Sequence, residues 1–184
     1  YFGKNNFMKN QIHKIYSNLH FITLTLVVIA SLYLFYPSLT ENKLPGYNDV
    51  LEFLNWYTQI RNAFLNGEFP LWSPAEMGGL PFAAQYQPSI FYPFTFLLYL
   101  IDAQSYITFI LIFHFILTPV LMYLFLKYTG TEKISSLIGS LIWSYSGYMF
   151  MRYWVGQYSY IIAFSYTPLI VHLFMKAADS KKIL

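Results

Sequence analysis

The residues of this sequence that could do chemistry are a few carboxylates and two arginines. Six of the eight acidic residues lie between positions 37 and 104, namely Glu41, Asp49, Glu52, Glu68, Glu76 and Asp102. The arginines are Arg61 and Arg152. A carboxylate can take the proton of an attacking hydroxyl, and the planar guanidinium group matches the oxygens of a phosphate. These residue types predict acid–base chemistry beside a phosphate-binding cation.

Other kinds of site find little support in the residue types. Cysteine is absent, which excludes disulfides and thiolate metal sites. The four histidines lack the spacing of a metal site, at His13, His20, His114 and His172. No basic cluster with interleaved aromatic residues indicates nucleic acid. We predict no dedicated metal site and no nucleic-acid partner. The cofactor stays unknown, because a carboxylate such as Asp49 could bind a divalent ion.

Each candidate residue also has a purely structural interpretation. Asp49 precedes a helical pattern and has Glu52 three residues later, which is the arrangement of a helix N-cap. Arg61 could pair with Glu52, with Glu68 or with a lipid phosphate. Arg152 could anchor the end of a membrane span. The residues alone leave both interpretations open.

The composition indicates that membrane helices position these side chains. Of the 184 residues, 57% are hydrophobic and 10% are charged, whereas soluble domains carry about 25% charged residues. The mean hydropathy is positive. This composition argues against a soluble domain, a disordered chain and a coiled coil. We predict an all-α polytopic membrane protein.

Long uncharged stretches predict about four transmembrane helices. Each stretch is long enough to cross a bilayer, and the predicted spans cover residues 19–36, 105–126, 134–151 and 158–175. The first span also resembles the apolar core of a cleaved signal. It is longer than such a core, and no small-x-small cleavage site follows it, so we expect it to be retained.

The lysines predict how the spans are oriented. If the short apolar run 91–101 lies in the membrane interface rather than crossing it, eight of the eleven basic residues share one face. The positive-inside rule makes that face cytoplasmic. Residues 1–18 and 176–184 are then cytoplasmic, and residues 37–104 form a large outer loop.

The outer loop begins with a predicted amphipathic helix over residues 49–66. Its apolar residues recur with helical spacing, at Val50, Phe53, Leu54, Tyr57, Ile60 and Phe64. Such a helix beside a membrane usually lies in the interface plane, where Trp56 and Tyr57 would suit headgroup depth. A proline-rich, aromatic segment follows. Gln59, Trp72 and Gln87 could contact a sugar or an acceptor there, although structural packing is the alternative.

A set of short motifs makes this chain resemble a known family. The motifs are Asn48-Asp49, Gln59, Arg61, GEFPLWSP (67–74), GGLP (78–81), FYP (91–93), TGTEK (129–133), SYSGY (144–148) and Thr167-Pro168-Leu169. Over roughly residues 19–176 the chain resembles the YfhO-like family of bacterial multi-spanning membrane proteins, which belong to the GT-C superfamily of glycosyltransferases. The outer-loop motifs are specific in combination, and each is weak alone.

The resemblance implies a glycosyltransferase of the bacterial plasma membrane with its N-terminus in the cytoplasm. It implies a sugar donor linked to polyprenyl phosphate, a cell-envelope polymer as acceptor and membrane lipid as surroundings. Asp49 matches the catalytic acid of the first outer loop. Arg61 and Arg152, both on the outer side of the predicted topology, would bind the donor phosphate. The later outer turn, 152–158, contains no acid and no histidine, so a second catalytic acid is not predicted.

A different class of function stays open beside the enzyme. The chain could be a non-enzymatic multi-pass protein, either a transporter or an envelope-assembly partner that docks through the aromatic loop. A transporter would more typically carry ionisable residues at mid-membrane depth, and only His114 and His172 qualify. We also expect the parent protein to continue beyond Leu184, and the start at Met8 suggests that residues 1–7 are upstream sequence.

Overall fold

The computed structural model describes residues 25, 27–41, 43–74 and 78–179. Regular structure within these ranges is helical, apart from one isolated bridge between Ser73 and Leu80. The helices are α1 (27–34), α2 (Tyr36–Thr40), α3 (Val50–Leu65), α4 (Ala103–Tyr128), α5 (Lys133–Ser144), α6 (Gly147–Val155) and α7 (Tyr158–Asp179). Two 3-10 helices cover Phe82–Ala84 and Pro93–Tyr99. The all-helical prediction is confirmed for the described residues.

Among the residues that the structure describes, two helices are long and apolar enough to cross a membrane by length and composition. They are α4, with 26 residues, and α7, with 22 residues, and they contain the predicted spans 105–126 and 158–175. The two helices pack against each other, and the Thr118 and Ser165 hydroxyls are 2.7 Å apart between them. Each helix contains an internal proline, Pro119 or Pro168.

The predicted span 134–151 is not one helix. α5 ends at Ser144, and α6 starts again at Gly147. Ser146 has an extended backbone, with ψ of 157°, which no residue inside a helix can adopt. A hydropathy pattern cannot detect this break, because the residues on both sides of it are equally apolar.

The predicted span 19–36 is only partly described. Residues 19–24 and 26 lie outside the described residues. Residues 27–34 are helical, Phe35 forms a turn, and α2 follows with Pro37 near its start. The cytoplasmic segment predicted for 1–18 also lies outside the described residues, as do residues 180–184 of the segment 176–184.

The amphipathic helix predicted over 49–66 is present as α3, but its surroundings differ from the prediction. Trp56 and Tyr57 are both buried inside the protein rather than exposed to lipid headgroups, and their depth relative to a membrane stays a prediction. α3 packs against α4 and the 3-10 helix Pro93–Tyr99. The Tyr57 ring lies edge-on to Tyr106, with centroids 4.8 Å apart. The apolar face of α3 is therefore covered by protein.

The short apolar run 91–101 forms the 3-10 helix Pro93–Tyr99 rather than an α-helix. Phe64 on α3 stacks on Tyr99, with ring centroids 4.5 Å apart. Pro88 precedes the FYP motif and Pro93 ends it. Neither proline has a backbone N–H to donate, which limits helical hydrogen bonding in this run. The run is held against α3.

The helices divide the polar residues between two ends of the bundle. α4 and α7 start at one end, where α6 finishes and α3 begins. At the other end, the Tyr128 hydroxyl donates to Asp179 at 2.7 Å. Lys127, Lys133 and Lys176 belong to that second end. The arginines belong to the first end, which also carries Asp49.

Candidate functional site

Two backbone turns interlock at the first end of the bundle. The Asp49 amide donates to the Val155 carbonyl at 2.8 Å, and the Tyr158 hydroxyl donates to the Pro45 carbonyl. Gly156 ends α6 with a φ of +89°, and a Cβ atom there would lie 2.7 Å from the Val50 nitrogen. Only glycine permits this approach without strain or a clash. The start of α3 is thereby fixed on the turn between α6 and α7.

The Asp49 carboxylate points out of α3 and does not cap it. Asp49 occupies the N-cap position, but its side chain makes no capping hydrogen bond. Its backbone is helical, with φ of −84° and ψ of 0°, whereas a capping residue usually adopts an extended conformation. Its Oδ2 instead accepts a hydrogen bond from Gln157 Nε2 at 3.1 Å. The side-chain cap considered from the sequence is therefore wrong.

Gln157 also contacts Arg152. The Arg152 guanidinium donates to the Gln157 Oε1, so one amide joins the carboxylate to the guanidinium. Arg152 lies against two aromatic rings, 4.5 Å from the centroid of Tyr160 and 5.0 Å from that of Tyr148. Its Nε is buried without a hydrogen-bond partner. The structure thus brings Asp49 and Arg152 together, although 103 positions separate them in the chain.

This arrangement keeps an acid and a base close without neutralising either. The amide donates to the carboxylate and accepts from the guanidinium. A carboxylate held this way can accept a proton. A guanidinium group carries five N–H donors, so Arg152 has further N–H groups beside the one that donates to Gln157, and such groups can bind an anion. The site therefore combines a group that could take a proton from a hydroxyl with a group that could bind an anion.

The segment between α3 and α4, residues 67–101, reaches this site through Tyr86. A hydrogen bond between the Tyr86 and Tyr160 side chains raises the pKa of the Tyr86 hydroxyl. Tyr160 is also one of the two rings against Arg152. On the buried face of α3, burial raises the pKa of the Tyr57 hydroxyl well above its ordinary range. Both phenols therefore stay neutral near pH 7.

Arg61 lies away from this site. It follows Asp49 by twelve residues on α3, which is about 18 Å along a helix. Its Nη1 donates to the carbonyls of Leu98 and Ile101, each at 2.7 Å. Arg61 therefore holds the end of the 3-10 helix against α3, and its predicted contact with a donor phosphate stays a prediction.

Gln59 and Trp72 share a groove of about 370 Å³ between α3 and the chain that follows it. This loop groove is also lined by Asn62, Asn66, Glu68 and Phe69. The Ser73 hydroxyl donates to the Gln59 carbonyl oxygen at 2.7 Å, and Trp72 is 60% exposed. Gln87 does not line the loop groove, and its backbone carbonyl accepts from Ser89. The structure thus groups two of the three residues predicted for sugar contact.

The two histidines predicted to lie in spans make structural contacts. His114 Nδ1 is 2.7 Å from the Ile110 carbonyl, and its Nε2 is 3.1 Å from the Tyr92 hydroxyl. The His172 ring stacks on Tyr128. Among the residues that the structure describes, no three His, Asp or Glu side chains come together as a metal site would require.

The sequence reasoning missed Gln157. A search for a second acid or a histidine in the turn 152–158 passes over an amide. The available signal was local, because Gln157 lies five residues after an arginine and directly after a glycine that ends a helix. No family model, curated protein or solved structure matches this chain at a significant level.

Proposed function

We propose that this chain belongs to a membrane glycosyltransferase that moves a sugar from a polyprenyl-phosphate donor to a cell-envelope acceptor. The observation that supports this proposal most is the pairing of Asp49 with Arg152 through Gln157 at one end of the bundle. The motif resemblance to the YfhO-like family agrees with it. The enzyme would belong to the bacterial plasma membrane, and its active side would face away from the cytoplasm.

In the proposed reaction Asp49 is the base. Its carboxylate takes the proton of the acceptor hydroxyl as the hydroxyl oxygen bonds to the anomeric carbon of the sugar. The bond from that carbon to the donor phosphate breaks on the opposite face, and its electron pair leaves with the polyprenyl phosphate. Arg152 stabilises the negative charge on this leaving group. The loop groove with Gln59 and Trp72 lies further along α3 and would hold a part of the acceptor polymer away from the reacting hydroxyl.

The proposed membrane arrangement has four crossings. α4 and α7 supply two of them. α5 and α6 together run from Lys133 to Val155, about 35 Å at 1.5 Å per residue, and would form a third, broken crossing. α1 would contribute to the first. The lysine-bearing end would face the cytoplasm, which places Asp49 and Arg152 outside.

A transfer assay tests the proposed function. Membranes containing the full-length parent protein would be supplied with radiolabelled polyprenyl-phosphate sugars, and label in envelope polymer would be counted. We expect transfer by the wild type and none by Asp49→Asn. Transfer that ignores Asp49 would remove its catalytic role, and no transfer with any donor would count against the enzyme.

One observation favours the alternative, a non-enzymatic docking protein. The segment between α3 and α4 leaves several large apolar side chains exposed, namely Leu71, Trp72, Tyr86 and Phe91. Such a patch is typical of an interaction surface. If docking is the function, substitutions across this patch abolish function in cells while Asp49→Asn has no effect.

A further inference from the structure

Within the described part of the chain, Gln157 is the side chain that hydrogen-bonds to both charged groups of the candidate site. Its Nε2 donates to Asp49 Oδ2 at 3.1 Å, and its Oε1 accepts from Arg152. A primary amide has donors on one side and an acceptor on the other. The bridge therefore fixes which way the amide faces.

The surroundings restrain Gln157 from both sides. Its backbone amide donates to the Arg152 carbonyl at 2.9 Å. It follows Gly156, whose backbone lies against Val50. The side chain thus starts from a fixed backbone, and both of its polar atoms are occupied. A side chain hydrogen-bonded to both charged groups fixes the position of one group relative to the other.

The amide also prevents a direct ion pair. A carboxylate in direct contact with Arg152 would occupy the guanidinium that a leaving phosphate needs, and it would be a weaker base because the cation favours its charged form. The neutral amide holds the two groups at a distance that leaves each available.

From these contacts we propose that Gln157 is a positioning residue, which orients the Asp49 carboxylate toward the acceptor hydroxyl while keeping Arg152 in register with the donor phosphate. The inference rests on the proposed function for its catalytic meaning. Its structural content, the hold on Asp49, can be measured without activity.

Two substitutions test whether Gln157 positions Asp49 or only supports Arg152. Gln157→Leu removes both hydrogen bonds at similar size. Gln157→Glu keeps an acceptor for Arg152, but it cannot donate to Asp49 and repels that carboxylate. We expect both variants to lose on the order of 100-fold in kcat, because small misplacements of a reacting group cost that much. Asn55→Leu, an exposed amide on α3, is the matched control and keeps wild-type rates.

Wild-type activity in Gln157→Glu would overturn the inference, since a hydrogen bond to Arg152 alone would then be sufficient. Wild-type activity in Gln157→Leu would also overturn it. A readout independent of activity uses the three aspartates of the chain, Asp49, Asp102 and Asp179. With ¹³C at Cγ, Gln157→Leu should move the Asp49 signal alone, and the other two signals report that the fold is intact.

An unmoved Asp49 signal in a folded Gln157→Leu variant would contradict the hold on the carboxylate. If the wild type is inactive with every donor, the proposed function fails, and the carbon signals still decide the contact. The two failures are therefore distinguishable.

Discussion

At the scale of single residues, the two arginines have different surroundings and should have different roles. Arg152 lies between the Tyr148 and Tyr160 rings and contacts Gln157. Arg61 serves two backbone carbonyls. Only Arg152 shares a site with Asp49. The geometry therefore separates two arginines that were predicted from the sequence to have the same role.

This division predicts opposite effects for two matched substitutions. Arg152→Lys should raise the donor KM by about 10-fold or more and leave stability near that of the wild type, because a lysine lacks the planar fork that matches a phosphate. Arg61→Lys should lower stability by about 1 kcal/mol through weakened bonds to the carbonyls. Donor titrations and thermal unfolding in detergent would measure both effects. A larger KM change for Arg61→Lys would contradict the assignment.

Asp102 shows what a capping aspartate looks like in this chain. Its Oδ1 accepts from the Ser105 amide at 2.9 Å and its Oδ2 from the Ser105 hydroxyl at 2.6 Å, and these bonds lower the pKa of Asp102. Asp49 makes neither kind of bond. The contrast supports a role for Asp49 outside helix capping.

The lowered pKa of Asp102 predicts a pH dependence. The folded state binds the Asp102 proton more weakly than the unfolded state, so the carboxylate stabilises the fold fully above its ordinary pKa of 3.8. That stabilisation is lost as pH falls through the lower folded pKa. Unfolding temperatures between pH 3 and 6 should therefore fall less steeply in Asp102→Asn than in the wild type. Parallel curves would contradict the assignment.

At the scale of elements, the interlocked turns are what place Asp49. Gly156 packs against the start of α3, and Gly46 lies against the Tyr153 carbonyl on the other side. Elsewhere along its length, α3 packs against α4 and the 3-10 helix Pro93–Tyr99. The site therefore depends on two short backbone segments.

Two glycines with the same backbone conformation test this dependence. Gly156 has φ of +89° and Gly130 has φ of +85°, but a Cβ at Gly130 meets nothing within 4 Å. Both alanine variants bear the strain of a positive φ, about 1–2 kcal/mol. Only Gly156→Ala adds a clash with Val50. We expect both variants to lower the unfolding temperature, Gly156→Ala clearly more than Gly130→Ala, and we expect lost transfer in Gly156→Ala alone. Equal behaviour of the two variants would argue against the interlock.

The sequence predicts local elements well and contacts between distant segments poorly. The helix predicted over 49–66 is found within one residue at each end, because its periodic apolar residues all face one side. The break at Ser146 and the contact between Asp49 and Gln157 were not predicted. Hydropathy does not register an extended residue between apolar neighbours, and no local pattern reports a contact between residues 108 positions apart.

At the scale of the whole molecule, the charges separate along the bundle. Lys127, Lys133 and Lys176 lie at one end, and the candidate site lies at the other. This separation agrees with the positive-inside prediction, and it gives the proposed topology a direct test.

Single cysteines should report the two sides, since the chain has none of its own. Asn55 is exposed on α3 and Glu132 is exposed in the turn before α5, so each would be replaced by cysteine. Removing Glu132 should not change the orientation, because acidic residues contribute little to it. An impermeant maleimide should label position 55 in intact cells, and label position 132 only after lysis. Labelling of both positions in intact cells would contradict the arrangement.

The central claim is that the Asp49 carboxylate acts as a base rather than as a cap. The most direct measurement compares Asp49→Asn with Asp102→Asn in the membrane transfer assay, since both aspartates occupy N-cap positions at the same end of the bundle. Removing a general base costs about 10²–10⁴-fold in rate. We predict that loss for Asp49→Asn, with wild-type transfer for Asp102→Asn and normal insertion of both. Equal transfer by the two variants would contradict the account.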